Sequence, residues 1–147
     1  MGGESWFYFV PYQADINRAL QALRVREFKA GRYNPATPFL EFPVDAASPG
    51  SGAQHSSIED AIEDADADGT RSILDMERVA EEPDYGAVTP MAEEDLVNLF
   101  GTSKPTREMI EANDELFELL ERGQGVYVVV YRDGAPSEIF FAGYSFD

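Results

Sequence analysis

Four aspartates, Asp64, Asp66, Asp68 and Asp75, fall within the run DADADGTRSILD together with Gly69. Carboxylates at the first, third, fifth and twelfth places of a loop can converge hard oxygens on one point, and a glycine at the sixth lets the backbone turn sharply beneath them. The chemistry on offer is divalent-cation binding. His55, the only histidine, is the one imidazole available as an acid, a base or a metal ligand. It sits among small and polar residues, where a solvated ring is expected. Glu81-Glu82 and Glu93-Glu94-Asp95 bring carboxylates side by side, as glycosidic acid and base chemistry needs. The second group, however, falls in the first turn of an expected helix, where negative charge complements the helix dipole and needs no other explanation. The chain has no cysteine, which excludes disulfides, thiolate nucleophiles, cysteine-ligated zinc and iron-sulfur clusters. Neither a G-x-S-x-G elbow nor a glycine-rich phosphate loop occurs, so no catalytic residue is assigned and an enzyme is the less favoured class.

The run from Asp64 to Asp75 resembles the calcium loop of the EF-hand family, a likeness confined to that run. The resemblance implies calcium as the cofactor and Asp64, Asp66, Asp68 and Asp75 as its ligands. Arg71 stands at the eighth place, where that family carries an aliphatic residue, Asp75 replaces the longer bidentate glutamate, and Pro83 cuts short the exit helix. These departures set the cation reading second to one drawn from charge.

Eleven Lys and Arg oppose 28 Asp and Glu, a formal net charge of −17. Residues 1–44 are near neutral, and residues 45–147 hold the whole acidic excess. A field of that sign repels phosphate, which disfavours nucleic acid and anionic membrane as partners, and no apolar run reaches membrane-spanning length. Residues 1–10 lack the basic and long apolar segments of a secretion signal, which points to the cytoplasm. The same field attracts cationic proteins and speeds their encounter. The leading reading is therefore an acidic protein-binding module, in the manner of inhibitors, antitoxins and immunity proteins, acting on a partner with a basic surface. A calcium-binding domain is the alternative, and a small carboxylate-dependent enzyme the third.

Residues 5–10 (SWFYFV) are apolar on both alternating faces and are stopped by Pro11, the mark of a strand covered on both sides. Ile16, Ala19, Leu20 and Leu23 recur at helical spacing after Asp15, a capping residue, and Gly31 is placed to end that helix at Ala30. Arg18, Arg26 and Lys29, with Arg24 and Arg32 nearby, form the one basic cluster, expected to find carboxylate partners within the chain. Pro35, Pro38 and Pro43 punctuate an extended stretch pinned by Tyr33, Phe39, Leu40 and Phe42. Residues 45–57 offer no apolar anchor and are expected to form a mobile loop. Ser56 and Glu59 fit a capping box for a short helix with Ile58, Ala61, Ile62 and Ala65 on one side and Glu59, Asp60, Glu63 and Asp64 on the other. Residues 72–79 read as a strand, Thr89-Pro90 to Gly101 as a helix, and 105–122 as another with Met109, Asn113, Leu116, Phe117 and Leu120 inward. Residues 126–131 and 138–142 flank an Asp133-Gly134 turn, a C-terminal β-hairpin.

These elements imply one α+β domain over residues 1–147, a largely antiparallel sheet of about four strands with about four helices. Both faces of 5–10 and 126–131 are apolar, so either helices cover both sides of the sheet or one side meets a partner or a second copy of the chain. Partner contacts are expected at Glu59, Asp60 and Glu63 on the acidic helix, and at Tyr127 and Tyr131, which share one face of their strand.

Overall fold

The computed structural model describes residues 3–146. Among these lie five strands, β1 (Ser5–Pro11), β2 (Arg78–Val79), β3 (Ala87–Pro90), β4 (Gly125–Arg132) and β5 (Ala135–Tyr144). Four α-helices accompany them, α1 (Ile16–Ala30), α2 (Ile58–Ala65), α3 (Glu93–Phe100) and α4 (Arg107–Glu111), with 3-10 turns at Asp66–Asp68, Ile73–Asp75 and Asp114–Leu119. The strands make one sheet in the order β1-β5-β4-β3-β2. The class is α+β, and β4 and β5 form the expected hairpin. The sheet is mixed, however, and has five strands: β1/β5 and β5/β4 are antiparallel, β4/β3 and β3/β2 parallel. Residues 91–124, which carry α3, α4 and a 3-10 turn, form a connection long enough to return the chain to the sheet in the same direction.

Strand alternation sorts side chains onto two faces. Trp6, Tyr8, Ile139 and Phe141 pack with Leu20 and Leu23 of α1 and with Ile73 and Leu74. Phe7, Phe9, Val128 and Phe140 pack on the opposite side with Leu96, Ile110 and Leu116. Helical segments therefore cover both faces, and this is why 5–10 and 126–131 are apolar on both sides. Each fully buried Leu, Ile or Phe contributes roughly 1.5–3 kcal/mol.

Local chemistry explains where elements start and stop. Asp15 accepts from the Arg18 backbone N–H at 3.0 Å to open α1, and Gly31 closes it at φ 74°. Ser57, not Ser56, caps α2 by accepting from Asp60 N at 3.1 Å. The expected strand at 72–79 is confined to Arg78–Val79, because Ser72 Oγ accepts from Leu74 N at 3.2 Å and winds Ile73–Asp75 into a turn with all three side chains inward. Thr89-Pro90 ends β3 rather than opening α3. The expected helix at 105–122 stops at Glu111: Asn113 donates to Leu99 O at 2.9 Å and accepts from Glu115 N at 2.9 Å, starting a separate turn.

Residues 45–57 contain no helix or strand. The segment lies along the end of α1, where Gly52 N donates to Ala30 O at 2.8 Å and Ala53 N to Lys29 O at 3.1 Å. Phe42, in the proline-punctuated stretch before it, contacts both Phe7 and Tyr8. Since these two residues point to opposite faces, Phe42 sits beside the β1 edge and shields it from pairing with another chain.

Candidate functional site

Glu59, Asp60 and Glu63 all lie exposed on the outer side of α2. The ion pairs formed among the described residues draw their acids from Glu27, Asp64, Asp84, Glu111 and Glu138, so Glu59, Asp60 and Glu63 form no ion pair.

Beyond the attraction between Arg24 and Glu59, the basic cluster of α1 offsets them little, because much of it is consumed inside the fold. Glu27 is fully buried, and Arg32, itself 2% exposed, grips it through two hydrogen bonds of 2.8 and 2.6 Å. Arg26 adds a third at 2.7 Å. The hydrogen bond to Glu27 holds Arg32 more firmly protonated than a free arginine. Arg24 is buried too, donating to Gln21 Oε1 at 2.9 Å and Leu74 O at 3.3 Å. Burial, and then the charge of Glu27, push the Tyr8 hydroxyl far above its ordinary range. Arg18 and Lys29 remain outside. The surface is thus more acidic than the order of charges along the sequence implies.

Tyr127 and Tyr131 are both half-buried on β4 and line one cleft of about 420 Å³ with Glu93, Leu96, Lys104 and Val129. Tyr127 rests against Phe141 at 6.5 Å between ring centroids, and burial raises its hydroxyl pKa. Lys104 Nζ stands 5.7 Å from the centre of the Tyr131 ring, a cation facing the negative face of an aromatic. The sequence places the two tyrosines on one face; it gives no signal for Lys104, which α3 and the residues after it carry back to the strand.

The four aspartates of the Asp64 to Asp75 run take different surroundings. Asp66 and Asp68 are exposed, and Asp64 accepts from His55 at 2.9 Å. Asp75 turns inward, 6% exposed, with Oδ1 accepting from Thr70 N at 2.8 Å and Thr70 Oγ at 2.9 Å and Oδ2 accepting from Ser145 Oγ at 2.7 Å. Burial raises its carboxyl pKa against the opposing pull of these bonds. Gly69 serves this knot: a Cβ there would stand 2.6 Å from Ser145 Oγ and 2.9 Å from Asp75 Oδ2. Among the described residues, no three His, Asp or Glu side chains are grouped so as to hold a metal ion.

His55 is drawn further into the protein than a solvated loop residue. Tyr33 Oη accepts from Gln54 N at 3.2 Å, which leaves its hydroxyl to donate to His55 Nδ1 at 2.7 Å, while Nε2 meets Asp64 at 2.9 Å. A hydroxyl, an imidazole and a carboxylate in line is the arrangement of nucleophilic catalysis. Tyr33 is fully buried and stacked on Phe28, so the hydroxyl that would have to attack cannot meet a substrate. The line clasps residues 54–55 to the body of the protein.

Comparison with known family models, curated proteins and solved structures returns no match to this chain. A functional reading therefore rests on the surface itself: the acidic helix, the cleft beside Tyr127 and Tyr131, and a second hollow the sequence does not announce. That hollow, about 270 Å³, has Phe7, Phe9, Phe117 and Phe140 among its walls and Glu111 and Asp114 at its margin. Its nearest sequence signal is the aromatic, two-faced character of residues 5–10. Among the described residues, no helix is long and apolar enough to cross a membrane.

Proposed function

We propose that this chain is a cytoplasmic protein-binding module that captures a partner with a basic surface, after the fashion of an inhibitor, antitoxin or immunity protein. The observation that carries the reading is the division of charge: Arg24, Arg26 and Arg32 are bonded within the fold while Glu59, Asp60 and Glu63 are exposed and, among the described residues, form no ion pair. Fixed negative charge on a rigid helix steers a cationic protein toward the surface, and the steering acts on the association rate. The cleft at Tyr127 and Tyr131 supplies the half-buried aromatic surface on which a steered partner can settle.

Recovery of partners on the immobilised protein at low salt, followed by association kinetics with the purified partner, tests this. The combined variant Glu59→Gln, Asp60→Asn, Glu63→Gln is expected to keep its fold and to associate several-fold more slowly, a difference that salt erases because exposed charges are screened over about 10 Å at 0.1 M. A partner with an acidic surface, or equal rates for parent and variant at low salt, refutes the proposal.

A further inference from the structure

β4 runs beyond its neighbour. Its pairing with β3 ends at Pro90 opposite Tyr127, and the chain meets β4 again through the bridge between Thr106 and Tyr131. Within a strand, residues two apart aim their backbone groups at the same edge. Tyr127 O accepts from Met91 N at 3.1 Å and Tyr131 N donates to Pro105 O at 2.9 Å, so Val129, midway between them, aims its N–H and C=O at that same edge. The register shift near Tyr131 leaves this alternation intact, because the extra residue, Ser137, belongs to β5. Among the described residues, no backbone or side-chain group bonds to Val129 on that side. The result is a slot, closed by hydrogen bonds at both ends and open between them over roughly 13 Å of strand at about 3.3 Å per residue. It faces the cleft lined by Tyr127 and Tyr131.

We propose that this slot receives the main chain of an extended segment of the protein partner, one residue of which accepts from Val129 N–H and donates to Val129 C=O. The inference rests on the protein-binding reading above and specifies how the partner is held. An unpaired donor and acceptor on a half-buried strand form a template for strand addition. Glu93, which forms no ion pair among the described residues, offers its carboxylate to a basic side chain of that segment and Lys104 its ammonium group to an acidic one, and Leu96 and Tyr127 offer apolar surface to its neighbours. Two copies cannot pair symmetrically through it, because Met91 and Pro105 are bonded to β4 at its two ends and flank the same edge of another copy in the same way.

The test uses random blocked heptapeptides displayed on phage and selected on the whole protein, with binders resynthesised carrying a single N-methyl group at each amide in turn. In the free protein the Val129 amide is expected to exchange with solvent faster than those of Val128 and Val130, which face β5. A selected peptide should slow Val129 exchange at least about tenfold, and N-methylation at one position should weaken binding by about tenfold, the loss of one hydrogen bond. A library that yields no binder, binders that leave Val129 exchange unchanged, or insensitivity to N-methylation everywhere overturns the proposal, and dimer formation on peptide-free samples that protects Val129 replaces the peptide with a second copy. The two readings fail separately. A neutral peptide that fills the slot, while the α2 variant binds cationic protein at the parent rate, removes the charge reading alone. A basic partner that binds with Val129 exchange unchanged removes the slot alone.

Discussion

Asp75 ties the loop after α2 to the end of β5, and its removal should cost far more than the loss of one surface carboxylate. Asp75→Ala deletes three hydrogen bonds to a buried carboxyl group and leaves the Thr70 N–H and the Ser145 hydroxyl proton without an acceptor in fully buried sites. An unsatisfied buried group costs about 1–3 kcal/mol, so the expected loss is about 3–5 kcal/mol. At roughly 3 °C per kcal/mol for a chain of this length, Tm should fall by roughly 10–15 °C. Asp75→Asn keeps the shape and the Oδ1 acceptor and should cost only about 1–2 kcal/mol. Burial raises the Asp75 pKa in the folded state, so the native protein holds this proton to higher pH than the unfolded chain. The stability it contributes is complete below the ordinary carboxylate pKa and is lost as pH rises through the raised value. The deficit of Asp75→Asn relative to the parent should therefore shrink as pH rises above the ordinary carboxylate range and through the raised value. Urea unfolding across that range, with thermal melts with and without calcium, measures all three quantities. An Asp75→Ala variant within about 1 kcal/mol of the parent, or an Asn deficit that grows with pH, refutes the account of the knot. A calcium-dependent rise in Tm that Asp75→Asn abolishes would restore Asp75 as a cation ligand; no such rise is expected.

Arg32→Met should destabilise by about 3–5 kcal/mol in denaturant titrations because Glu27 loses its two-point partner in a fully buried site, whereas Glu27→Met with Arg32→Met should recover most of that loss. Gly143→Ala, whose Cβ would collide with the Trp6 ring and the Gln124 carbonyl, should lower stability by about 1–3 kcal/mol with a loss of Trp near-ultraviolet dichroism. His55→Ala should speed amide exchange at residues 50–57 and lower global stability by about 1–3 kcal/mol, because the fully buried Tyr33 loses the acceptor of its hydroxyl while Asp64 is largely exposed; unchanged exchange there would show that the backbone bonds to Ala30 and Lys29 suffice.

The parts of this fold that were legible in the sequence are those decided locally. Asp15 and Gly31 bound α1 because capping depends on a few adjacent residues. Asp133-Gly134 signals its hairpin because both residues adopt positive φ, 52° and 81°, as a tight turn between twisted strands requires. Gly69 was legible as a glycine with a task, but its task depends on Ser145 and Asp75 arriving from elsewhere, and no local pattern distinguishes that from a turn beneath a cation. The same limit hides the clasp at His55, whose partner Tyr33 lies at the far end of a proline-punctuated stretch. Asn113 misleads for a different reason: its position fits an inward helical stripe, yet its side chain competes for backbone groups and ends the helix. The slot at Val129 follows from where β3 stops, and the parallel pairing that sets this depends on a connection whose path only tertiary packing decides.

The pairing of β1 with β5, Ser5 opposite Tyr144, carries a consequence for how the chain is made. Among the described strands β1 pairs with β5 alone, so Trp6, Tyr8 and Val10 have no strand to join until the residues between the two have been made. Pairing over such a separation is slow, because the loop it closes must be ordered before any contact rewards it. Growing chains therefore display an unpaired aromatic strand until β5 emerges, and over that interval they are more exposed to aggregation than the folded domain.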